Sequence, residues 1–148
     1  MSDTTTAPAA ADAATQAALE RLNTVIDRLI APDGCPWDST QTPESLTEYV
    51  IEECHELVDA IRSGKTADMV EELGDVAFLI LMIGKLMARA GGPSLADALE
   101  VEAAKMVRRH PHVFSDTTYE NQSEQLKDWD RIKREEKAAA GAEGPKGT

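Results

Sequence analysis

The sequence predicts an all-α fold, a bundle of four or five helices, and three observations carry that expectation. Apolar residues recur at three- and four-residue spacing along most of the chain. No stretch alternates convincingly with period two. Pro and Gly gather in a few short segments that separate one helix from the next. At 148 residues the chain fits one domain with a real core.

The first helix is expected from about Gln16 to Ile30, with Leu19, Leu22, Val25, Ile26 and Leu29 on one face. Residues 1–15 lack a basic region followed by an apolar stretch, so they read as a disordered tail rather than a secretion signal. Pro32, Gly34 and Pro36 then break the helix within APDGCPWDSTQT. The second helix should start with Thr42 as N-cap and Pro43 at its first position, and stop before Gly64. Its apolar stripe is Leu46, Val50, Cys54, Leu57, Val58 and Ile61.

Thr66 is expected to cap a third helix reaching about Ala90, where Gly91, Gly92 and Pro93 end it. Its VAFLILMI segment, Val76 to Ile83, is apolar all round, as suits the most enclosed helix. It is soon followed by Lys85 and Arg89, well short of the roughly 20 apolar residues that span a bilayer. A fourth helix opens on the capping-box-like pair Ser94 and Asp97, carries Leu95, Leu99 and Met106, and ends at Pro111. A last helix from about Gln122 to Lys137 has Leu126, Trp129 and Ile132 as its large apolar residues, and 138–148 reads as a second disordered tail. The expected domain is therefore 16–137.

A formal charge of −12 argues against a nucleic-acid backbone or an anionic membrane as the main partner, since both select basic surfaces. An anionic substrate would need cations as intermediaries. Cys35 and Cys54 make no CxxC pair and no disulfide framework, which suits a reducing cytoplasm.

Five carboxylates supply the chemistry: Glu52, Glu53 and Glu56 in EECHE, then Glu72 and Asp75 in EELGD. Residues three and four apart share a helix face, so Glu52 with Glu56, Glu53 with Glu56, and Glu72 with Asp75 each point one way. With Val50 set at zero and about 100° per residue, the apolar stripe centres near 0°, and Glu53, Glu56 and Glu52 fall near 300°, 240° and 200°. The acids start at the margin of the core face, whereas a purely solvated run more often lies opposite it. Taken alone, EExxE fits a solvated surface; the second acidic pair beside the most apolar helix favours a cation site, because a carboxylate there is costly unless paired or metal-bound. Such a cage suits Mg²⁺, which takes carboxylate oxygens while holding phosphates. Charge balance against a triphosphate asks for two or three ions, with Mn²⁺ as a substitute.

Lys105 and Arg109 share a face, and with Arg108 they form a basic group suited to phosphate oxygens; the alternative is a set of cations complementing a helix C-terminus. Trp37 and Trp129 are candidates for stacking on a nucleobase, with packing as the competing role. His55 is expected to face solvent or the next helix, and His110 and His112 to pack in a turn. No HExxH, P-loop glycine pattern or GxSxG elbow is present.

In order along the chain, GCPWDSTQT, YVIEECHELVDAI, EELGD, KMVRRHPHVF and the segment around WDRIKREEK resemble the MazG family of nucleoside triphosphate pyrophosphohydrolases, over about residues 20–137. The resemblance implies that Glu53, Glu56, Glu72 and Asp75 are the main Mg²⁺ ligands, and that Glu52 is a further ligand or an orienter of water. It implies that Lys105, Arg109 and Trp129 handle substrate, and that Trp37 corresponds to a base-stacking Trp of related dCTP pyrophosphatases. The implied reaction converts an NTP or dNTP to monophosphate and pyrophosphate, often as house-cleaning of non-standard nucleotides, in a homodimer or homotetramer. Pro43 stands where the family usually has His, so any contact by that His is absent. Two rivals remain open at this stage: a narrow pyrophosphatase for dUTP, dCTP or phosphoribosyl-ATP, and a non-catalytic acidic helical binding module.

Overall fold

The segment from Thr6 to Thr15 holds six alanines, the strongest helix former. In a computed structural model, which describes residues 6–142, α1 accordingly spans Thr6–Ile30 and takes in ten residues expected as tail. The remaining helices are α2 (Thr47–Ser63), α3 (Thr66–Arg89), α4 (Leu95–Arg109), the one-turn α5 (Pro111–Phe114) and α6 (Gln122–Ala142). No strand occurs among the described residues. Ala138 to Ala140 likewise carry α6 past its expected end; 1–5 and 143–148 lie outside the described residues.

Along the sequence, the chain divides into two compact units, with the boundary between Leu95 and Ala96. In the first, α2 and α3 pack side by side and α1 lies against α3. Ile26, Leu46, Leu79, Leu81, Met82 and Leu86 form the buried core, with Leu22, Ile30, Val50, Phe78, Ile83 and Leu95 packed on it. Gly84 lets this core close: an added Cβ would stand 2.8 Å from Leu95 Cβ. Truncating a side chain as buried as Leu46 to Ala would cost about 2–5 kcal/mol.

Two apolar stripes differ from expectation. On α1, Leu19 and Val25 are exposed while Ile26 is fully buried. On α2 the wide arc splits: Leu46, Val50, Leu57 and Ala60 face the core, whereas Ile51, Cys54, Val58 and Ile61 face outward. Nor is VAFLILMI enclosed all round, since Ile80 is half exposed.

Helix α2 also starts later than Thr42. Residues Glu44–Leu46 form a 3₁₀ turn first, closed by Thr42 Oγ1, which accepts from Ser45 N at 3.2 Å. Gly64, at φ 72°, then ends α2 in the left-handed region that favours glycine. In the loop between α1 and α2, Gly34 sits so close to α1 that a Cβ would stand 2.3 Å from Arg28 O.

The second unit holds α4, α5 and α6. HPH is a helical turn here rather than a loop. Its buried apolar side chain among the described residues is Ile132. A reciprocal cap starts α6: Asn121 Oδ1 accepts from Glu124 N at 3.0 Å, and Glu124 Oε2 accepts from Glu120 N at 3.1 Å.

Candidate active site

The buried half of α2 explains where its acids go. Within α2, Val50, Leu57 and Ala60 project at about 0°, 340° and 280°, so Glu53, at about 300°, lies inside the core-facing arc rather than outside it. Glu56 flanks it, and Glu72 comes across from α3. One oxygen from each of Glu53, Glu56 and Glu72 lies within 4.8 Å of the others. Glu53 and Glu72 are half-buried, and an oxygen of each is enclosed with no hydrogen-bond partner.

Like charges this close raise one another's proton affinity. Desolvation, then Glu56 and Glu53, pushes Glu72 up to about 7. Desolvation, then the charges of Glu56 and Asp75, also pushes Glu53 above the usual carboxylate range. Asp75 is thus near enough to be felt, although it is exposed and outside the tight group of three. Glu52, at about 200°, is turned away from the core arc and exposed.

Enclosed acceptor oxygens, no donor to satisfy them and hard anionic ligands from two helices fit a divalent cation such as Mg²⁺. Beside them an open cavity of about 310 Å³ is lined by Glu56, Asp59, Ala60, Ser63, Asp68 and Glu72. Asp59 and Asp68 are site residues that the motif reading passes over. The signal was present: Asp59 lies three residues after Glu56, and Asp68 four before Glu72.

Trp37 belongs to the first unit, on the loop before α2, and is half exposed; its ring meets Tyr49 edge-on at 5.7 Å. The other expected residues belong to the second unit. Lys105 pairs with Glu102 at 2.7 Å. Arg108 and Arg109 both donate to Glu136, at 2.7 and 2.8 Å, and the Arg109 guanidinium lies 5.5 Å from the Trp129 ring centre. These two arginines hold Glu136 far below the usual carboxylate range, at about 2. His110 packs edge-on against Trp129, and its Nδ1 lies 2.6 Å from Met106 O, consistent with a packing role. A larger concavity of about 910 Å³ in this unit is lined by residues that largely satisfy one another: Arg108 with Glu136, and Arg131 with Asp128 and Glu135. The acid cluster differs in having carboxylate oxygens that no donor satisfies.

An all-α scaffold that presents acids from two adjacent helices defines a helical protein with a candidate divalent-cation site. Residues 41–114 match the MazG nucleotide pyrophosphohydrolase domain, and the chain belongs to that family. It is 40% identical over 121 residues to a nucleoside triphosphate pyrophosphohydrolase of Escherichia coli, an alignment covering 81% of this chain and 46% of that protein. It is 43% identical over 113 residues to an uncharacterised Bacillus subtilis protein, YabN, covering 76% of this chain and 23% of that one. Among solved structures, a MazG-related protein from Thermotoga maritima superposes with a TM-score of 0.66 at 29% identity, covering 78% of this chain and 98% of that one. The chain spans less than half the length of these two curated relatives.

Proposed function

We propose that this chain is a Mg²⁺-dependent nucleoside triphosphate pyrophosphohydrolase, converting an NTP or dNTP and water to the monophosphate and pyrophosphate. The observation that carries the proposal is the trio Glu53, Glu56 and Glu72, in which Glu53 and Glu72 each hold an enclosed oxygen without a hydrogen-bond partner. Those three, with Asp75 beside them, would hold the metal, and two or three Mg²⁺ ions suit the charge of a triphosphate. When bound, Mg²⁺ neutralises the phosphate chain and makes phosphorus a better target for water.

The protein's own groups do the rest. A carboxylate of the EECHE run, Glu52 or Glu53, orients water and accepts its proton. Trp37 stacks on the base. In the second unit, Lys105, Arg108 and Arg109, with Trp129 beside Arg109, are the candidates for phosphate oxygens, which would take the place of Glu102 and Glu136 as their partners. House-cleaning of non-standard nucleotides in a reducing cytoplasm suits this set and the free Cys35 and Cys54. The exposed apolar residues Ile51, Val58 and Ile61 on α2 and Val70, Leu73 and Ile80 on α3 support assembly as a homodimer or homotetramer.

A panel of canonical, deoxy and oxidised nucleotides with Mg²⁺ or Mn²⁺, scored for monophosphate and pyrophosphate, tests the activity. Glu53→Gln should lower kcat by about 100-fold or more, the scale of a lost general base, while leaving helical content intact, as judged by circular dichroism. Pyrophosphate release by Glu53→Gln at the wild-type rate would refute the cage.

A further inference from the structure

We infer that Tyr49 is a specificity-determining residue, which with Trp37 forms the aromatic corner that receives the nucleobase; this rests on the nucleotide reading above. Around α2, Tyr49 projects at about 260°, between Glu53 at about 300° and Glu56 at about 240°. Along the axis it precedes them by about 6 Å and 10 Å, at 1.5 Å per residue. One face of α2 therefore presents an aromatic ring and then the acids, in the order in which a nucleotide presents its base and then its phosphates.

The ring geometry makes this a receiving surface. Trp37 and Tyr49 stand 87° apart, with ring centres separated by 5.7 Å, so they form a corner rather than a closed stack. They remain 47% and 42% exposed, although aromatic rings gain most from full burial. A flat base laid on one ring brings its edge to the other. The Tyr49 hydroxyl has no hydrogen-bond partner among the described residues, and it is both donor and acceptor, the chemistry that separates one base edge from another.

The Trp37 loop is fixed beforehand. Arg89 donates to Ile30 O at 2.9 Å and to Ser39 O at 3.2 Å. Trp37 O accepts from Thr40 Oγ1 and from Gln41 Nε2, each at 3.0 Å. Asp38, the next residue, is buried. A pinned loop that leaves its Trp half exposed avoids much of the ordering cost of binding.

The test measures Kd for α,β-methylene ATP and α,β-methylene dCTP with Mg²⁺ in wild type, Tyr49→Phe and Tyr49→Ala. Mn²⁺ affinity without nucleotide is measured alongside. Tyr49→Ala should weaken both analogues by about 5- to 150-fold, the range for one lost aromatic contact to a base, with Mn²⁺ affinity as in wild type. Tyr49→Phe should recover most of that loss for both analogues while changing the ratio of their two Kd values, because the hydroxyl that tells one base edge from another is gone; an unchanged ratio overturns the specificity role. Wild-type affinity in Tyr49→Ala overturns the inference and leaves the nucleotide reading standing. A Phe variant as weak as Ala overturns the aromatic corner, and a parallel loss of Mn²⁺ affinity shows that Tyr49 acts through the acids instead. Binding of neither analogue by the wild type overturns both readings.

Discussion

At the residue scale, the behaviour of Glu72 follows from its neighbours. Its proton affinity is raised from the ordinary 4.5 to about 7 by desolvation and by Glu56 and Glu53, so between those values the folded state binds more protons than the unfolded one. The metal-free protein should therefore lose stability as pH rises from about 4.5 to 7. Melting curves in EDTA across that window should fall for the wild type and flatten for Glu72→Gln; equal slopes in the two would show that Glu72 is not the titrating group. Much of this site was legible in the sequence, because EECHE and EELGD name the acids and helical spacing predicts shared faces. The depth of Glu53 was not, because Leu46 to Ile61 read as one apolar arc. Only the partner helices show that Leu46, Val50, Leu57 and Ala60 are the buried half, with Glu53 in their midst.

At the scale of elements, helices α2, α3 and α4 could be placed from breakers and spacing to within a few residues. The ends of α1 and α6 could not, because Ala-rich flanks look like tails by hydropathy and like helix by propensity. The outward stripes were also hidden in the pattern. Ile51, Cys54, Val58 and Ile61 on α2 and Val70, Leu73 and Ile80 on α3 keep the three-four spacing of a core face while remaining exposed. Apolar periodicity says that a face is covered, not by what. Two adjacent helices with such stripes are suited to burial against another copy of the chain. Ile80→Asp should then shift sedimentation equilibrium towards monomer, with little loss of helical signal because that side chain is half exposed in the single chain. An unchanged mass would assign the stripe to something other than self-association.

At the scale of the whole molecule, a net charge of −12 and an acid cluster between packed helices tie cation binding to folding. Glu53 and Glu56 are fixed on α2 and Glu72 on α3 by a core that includes Leu46, Leu79 and Met82. The two helix backbones that carry these carboxylates are therefore unable to move apart without opening that packing, and only the exposed Glu56 can swing its carboxylate clear. A cation that binds only this arrangement stabilises it by mass action, by about 2.7 kcal/mol at 100 times its Kd. For a chain of this size, that shifts Tm by about 10 °C. Na⁺ at matched ionic strength supplies only screening, which relieves general self-repulsion without a specific site. In wild type, Mg²⁺ at pH 8 should accordingly raise Tm well beyond matched NaCl. Glu72→Gln, with one repelling charge removed, should melt higher than wild type in EDTA and respond to Mg²⁺ no more than to Na⁺. If the two salts shift wild-type Tm equally, the cluster is a screened acidic surface and the metal reading of Glu53, Glu56 and Glu72 fails.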